Sequence, residues 1–75
     1  MMEDTINWTK DDVANFIARV RKIPDYSAIF IRNGVDGNTL PFYADIRQLS
    51  AIGITLLGHK IHIKLAIERL LARDL

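Results

Sequence analysis

The segment Gly53–Leu71, GITLLGHKIHIKLAIERLL, decides how the chain is read. After Gly53 no residue breaks a helix except Gly58, and the apolar residues recur at helical spacing, which predicts one long helix over 56–72. At about 100° per residue, Leu56, Ile63, Ala66, Ile67 and Leu70 share one face, suited to a buried seam. Ile61, Leu65 and Ala72 share another, with Leu57 beside it, so the helix carries more apolar surface than one seam uses. Two outcomes stay open. Ile61 and Leu65 form an exposed apolar patch, or that face packs on the N-terminal segment around Ile6 and Trp8.

Working back from this helix, the chain divides into short, well-punctuated helical segments. Thr9 suits an N-cap, with Asp12 at the third helical position and Asp11 and Asp12 at the positive end of the helix dipole. Trp8 and Val13 have the spacing of a hydrophobic staple. Val13, Phe16, Ile17 and Val20 form one stripe, and the helix is expected over 10–21. Pro24 is preset for the first turn of a second, short helix through Tyr26, Ile29 and Phe30, closed by Asn33 and Gly34. In NTLPFY, Pro41 is compatible only with an opening turn, so an irregular or 3₁₀-like turn is expected there. Asp45 then caps another short helix, with Gln48 in a capping-box variant and Ile46, Leu49 and Ile52 as its stripe up to Gly53. No alternating strand-length run occurs. The expected fold class is all-α: a compact five-helix bundle with a long C-terminal helix.

Seventy-five residues make one domain, of which folding buries roughly 60% of the unfolded chain's surface. With no cysteine, neither a disulfide framework nor a thiolate nucleophile is available, and an intracellular, cytoplasmic setting is expected. A net charge of +1 with both signs interspersed gives no strong field for nucleic acid or anionic membrane. No run is long and apolar enough for a membrane span. His59 and His62 lie three apart but lack further ligands for a metal. No nucleophile, base and acid fall in a catalytic arrangement, and no glycine-rich phosphate loop precedes a helix. Neither enzyme activity nor a cofactor is expected. The six aromatic residues read as core or edge of core, with Tyr43 the one expected to be exposed.

In this order and spacing, WTKDDVANFI, Tyr26, Phe30, VDG at 35–37, Leu49 with IGI at 52–54, and LGHK at 57–60 resemble the sterile alpha motif (SAM) domain over nearly the whole chain. The resemblance implies a five-helix module, residues 8–75 after a flexible segment 1–7, that binds another SAM domain, its own copy or a different one, head to tail. One implied surface lies at the start of the last helix: Thr55, Gly58, His59, Lys60 and Lys64, with Ile61 adding apolar contact. The other lies on the middle helices: Asp36, Asn38, Asp45 and Gln48. The chain departs from the family pattern in an extra residue and Pro41 before the fourth helix, in Gln48 where an acid is common, and in the order Lys64–Leu65.

Local charge agrees in sign, residues 55–75 carrying a net +2 and residues 24–54 a net −1. The bland reading is that the lysines are a solvated face and that Asp36 and Asp45 are caps. Such a module would serve recruitment or scaffolding in a larger protein, as an open polymer or a closed dimer. The alternative from another class is RNA-hairpin binding through His59, Lys60, Lys64, Arg69 and Arg73.

Overall fold

Thr9 sets the start of the first helix. In the computed structural model, which describes residues 4–73, the Asp12 amide donates to the Thr9 hydroxyl (3.2 Å) and the Thr9 amide to the Asp12 carboxylate (3.0 Å). This reciprocal capping box opens α1, Lys10–Ala18. Val13, Ala14 and Ile17 are buried, while Trp8 packs its ring at a tilt on Phe16, centroids 5.9 Å apart. The helix stops at Ala18 rather than Arg21 because the chain reverses through Lys22, whose φ of 71° lies in the left-handed region. A lysine pays about 1–2 kcal/mol for that conformation. Lys22→Gly is therefore expected to raise stability by about 0.5–1 kcal/mol after allowing for the looser unfolded chain, a gain of several degrees in thermal melting.

The two short helices end by the same device. Helix α2, Ser27–Arg32, closes with Gly34 at φ 65°, its amide donating to Ile31 and that of Val35 to Phe30. Helix α3, Ile46–Ala51, closes with Gly53 at φ 105°, its amide donating to Ser50 and that of Ile54 to Leu49. Both are Schellman motifs, and the residue after each glycine, Val35 or Ile54, is buried in the core. At their starts, Asp25 accepts from the Ser27 amide at 2.8 Å and Asp45 from the Arg47 amide at 2.8 Å. The Ser27 hydroxyl and amide together hold the Asp25 carboxyl below its ordinary pKa. Pro24 thus precedes the helix instead of sitting in its first turn, and Asp45 caps through Arg47.

Between them, Leu40–Tyr43 is a 3₁₀ turn with Pro41 in its opening, as NTLPFY suggests. Three residues per turn put Leu40 and Tyr43 on the same side. Leu40 is buried, and Tyr43 packs edge-on against Phe30 at 5.8 Å. Phe42 consequently points outward, 68% exposed. The expectation that Tyr43 is the exposed aromatic is corrected here: exposure falls on its neighbour because the turn is 3₁₀.

The last helix, α4, spans Leu57–Arg73 and buries Ile63, Ile67 and Leu70 against the other elements. Leu56 does not join that seam. It precedes the helix, its carbonyl accepting from Lys60. Among the described residues the fold comprises four α-helices with the Leu40–Tyr43 turn in the place of a fifth. Helix α1 packs on α2, and α4 packs on α3 and on that turn. Phe30, Ile17, Leu49, Ile54, Ile63 and Ile67 meet at the centre, fully buried, each burial contributing about 1.5–3 kcal/mol.

The packed chain begins before Trp8. Thr5–Asn7 forms a 3₁₀ turn with Thr5 buried, and the Gly37 amide donates to the Trp8 carbonyl at 2.9 Å. Of the segment 1–7 expected to be flexible, residues 1–3 lie outside the described residues. So do residues 74 and 75, and with them the charge of Asp74.

Candidate partner-binding surfaces

Among the described residues no side chain caps the start of α4. Leu56 has no side-chain acceptor, and among the described residues no side chain bonds the amides of Leu57, Gly58 or His59. These are the orphan donors of a helix amino end, where the partial positive charge of the helix also lies. Leu56 and Leu57 are 60% and 58% exposed, and Thr55 is exposed beside them. A Cβ built on Gly58 meets nothing within 4 Å. Glycine here costs helix stability relative to alanine, and no contact or backbone angle of the fold requires it.

The basic side chains expected at this surface are partly engaged. Lys60 donates to the Ser50 hydroxyl of α3 at 2.8 Å and has no carboxylate partner among the described residues. Lys64 pairs with Glu68 at 2.7 Å, so its charge is locally offset, an exposed pair contributing about 0.3–0.5 kcal/mol. His59 is half-buried, its Nδ1 hydrogen-bonded to the Tyr26 hydroxyl, with the rings 5.6 Å apart. It positions the helix end against α2. Ile61 and Leu65 are 38% and 40% exposed. The face they share with Leu57 is therefore not covered by the N-terminal segment, where Ile6 is itself exposed.

On the middle surface the two acids work as caps. Asp36 Oδ1 accepts from the amides of Asn38 (3.0 Å) and Thr39 (3.1 Å) and from the Thr39 hydroxyl (3.2 Å). Asp45 caps α3 and lies 3.7 Å from the Arg47 guanidinium. Asn38 and Gln48 are exposed. Gln48 and Ser50 are two positions apart on α3, which turns about 200° between them. Ser50 faces Lys60, so Gln48 faces away from the α4 end. Phe42 stands between Asp36 and Asp45 in the chain and adds an exposed apolar side chain that the sequence reading placed in the core. Leu56 is the other surface residue missed, because its spacing matched the seam, while Leu57, expected beside the second apolar face, is exposed. An apolar residue at the N-cap position was the available signal.

A small domain whose secondary structure over the described residues is helical, with an apolar-rimmed helix end that none of those residues caps and with Phe42 exposed elsewhere, has the form of a protein-interaction module. Sequence comparison supports this class: the SAM domain (sterile alpha motif) family matches residues 5–71. The chain belongs to that family, whose members are interaction modules rather than catalysts. It is 33% identical over 72 residues, 96% of its length, to mouse (Mus musculus) sterile alpha motif domain-containing protein 11, and 34% identical over 71 residues, 95% of its length, to the human (Homo sapiens) protein of that name. It is also 33% identical over 66 residues, 88% of its length, to SH3 and multiple ankyrin repeat domains protein 2 of Rattus norvegicus. The chain spans only 13%, 10% and 4% of these relatives respectively. No solved structure matches it significantly. Among the described residues no helix is long and apolar enough to cross a membrane.

Proposed function

We propose that this domain associates head to tail with another SAM domain, a second copy of itself in the first instance, and so recruits or scaffolds the larger protein that carries it. The amino end of α4 receives the partner's middle surface. Carboxylates or carbonyls of that surface meet the orphan amides and Lys60, and its apolar side chain, Phe42 in a second copy, meets Leu56, Leu57 and Ile61. The observation that carries this reading is the open end of α4. A stable fold gains nothing from leucine at an N-cap or from glycine in open space, whereas a docking surface gains acceptor-hungry amides and room for close approach. Ion pairs left at the rim of the contact contribute about 0.2–1 kcal/mol each, so beyond the contact of Lys60 the leucines supply most of the burial a stable contact needs. The two faces of α3 point apart, so the contact is heterologous and propagates as an open chain unless its rotation closes it.

RNA-hairpin binding at the same helix end is less well supported. Affinity for a phosphate backbone grows with the number of cations that neutralise it, and there Lys64 is spent on Glu68 and His59 on Tyr26.

Leu56→Asp separates folding from function. The carboxylate caps α4, adding about 1 kcal/mol and raising the melting temperature by roughly 4–8 °C. It also occupies the amides that the partner would use, so association weakens. Gly58→Ala acts in the same two directions through steric closure. A Leu56→Asp chain that is more stable and associates as strongly as wild type would remove the α4 end from the interface.

A further inference from the structure

A second surface lies away from the α4 amino end, in a groove of about 630 Å³ between α4 and the turn that follows α1. Its floor is apolar: Phe16, Val20, Ala66 and Leu70, with Leu65 at the edge. Its rim is basic. Arg19, Arg21 and Lys22 line one side, and Arg69 and Arg73 the other, with His62 further along α4. Among the described residues no carboxylate lines the groove, and none pairs with Arg19, Arg21, Lys22 or Arg69. Half of the chain's ten lysines and arginines thus converge on one cleft in a protein whose net charge is close to zero.

We propose that this groove docks an acidic peptide segment bearing apolar side chains. Its size falls within the roughly 300–1,000 Å³ of ligand clefts. A greasy floor under a cationic rim complements a strand or helical turn in which leucine-like residues alternate with Asp or Glu, the apolar groups giving affinity and the charges orientation and on-rate. Nucleic acid fits less well. Single-stranded bases stack on exposed aromatic faces, whereas Phe16, the floor's aromatic, is half-buried and packed against Trp8. A lipid surface needs apolar side chains that protrude into it, and these are recessed between the two rims.

The test is a selection of short random peptides displayed on phage against the intact chain at physiological salt. The selected sequences are expected to be rich in Asp and Glu interleaved with large apolar residues. A synthetic peptide of the consensus should bind about tenfold or more weakly to the Arg21→Glu, Arg69→Glu double variant, bind less tightly as salt rises, and bind unchanged to Lys60→Glu. Both arginines are exposed, so an unaltered melting temperature confirms that the double variant is folded. Selected peptides without acidic enrichment, or binding indifferent to the double variant, would overturn the proposal. So would tighter binding of an RNA hairpin or of phosphatidylserine vesicles than of the peptide. A wild-type chain that binds the peptide but does not self-associate would instead strike the head-to-tail reading alone.

Discussion

Gly37→Ala is expected to remove most of the domain's stability or to strip its N-terminal segment away. A Cβ at this position stands 1.9 Å from the Thr5 carbonyl oxygen and 2.8 Å from the Trp8 nitrogen. Both are backbone atoms, so no rotamer change relieves the clash. The Gly37 amide also donates to the Trp8 carbonyl, and shifting the two segments apart breaks that bond and lifts buried Thr5 from its site. Overpacking of this kind costs about 1–3 kcal/mol and sometimes more, and the upper end applies where backbone meets backbone. A domain of this size holds only about 3–5 kcal/mol in reserve. A loss of about 3 kcal/mol lowers the melting temperature by roughly 12–24 °C. Calorimetry checks this. An alanine variant melting within a few degrees of wild type would show that the Thr5–Trp8 segment is not held as described.

The second large effect is on association. Lys60→Glu places a carboxylate near the positive end of α4, which suits the helix itself, so the variant folds. It repels the acids a partner would bring, and loss of a desolvated charge contact costs about 2–5 kcal/mol, roughly thirtyfold or more in affinity. On the opposite surface the acids are poor sites for a test, because Asp36→Lys would also remove three local hydrogen bonds. Gln48→Lys is cleaner, since Gln48 is exposed and its side chain bonds nothing among the described residues. Each variant alone is expected to sediment as a monomer. An equimolar mixture retains one intact pair of surfaces and should give dimers that grow no further. Mixed species larger than dimers would mean that the two surfaces are not the two halves of one contact.

How much of this was legible in the sequence depends on how local the physics is. The capping box at Thr9 and the glycine endings at Gly34 and Gly53 are settled within four or five residues, and each stands where its spacing puts it. The 3₁₀ turn was readable from Pro41, but the exchange of roles between Phe42 and Tyr43 was not, because a helical period of 3.6 and one of 3.0 send neighbouring residues to different sides. VDG was visible as a word. The reason for its glycine was not, since the atoms it must clear belong to the distant N-terminal turn. Leu56 fitted the seam by angle yet lies before the helix, so periodicity carried one residue too far. Asp36 and Asp45 read equally well as caps or as partner-binding acids, and the structure makes them caps without removing them from the surface. The basic groove escaped reading because its cations come from two distant segments, the end of α1 with the turn after it and α4, that only the complete fold brings to one cleft.

The central claim is that the open amino end of α4 receives the middle surface of a second molecule. Sedimentation velocity of the wild-type chain over a rising concentration series tests it most directly. The account predicts a sedimentation coefficient that climbs with concentration past the dimer, and that stays at the monomer value in Lys60→Glu. A wild-type chain that remains monomeric at the highest concentration would contradict self-association through that surface.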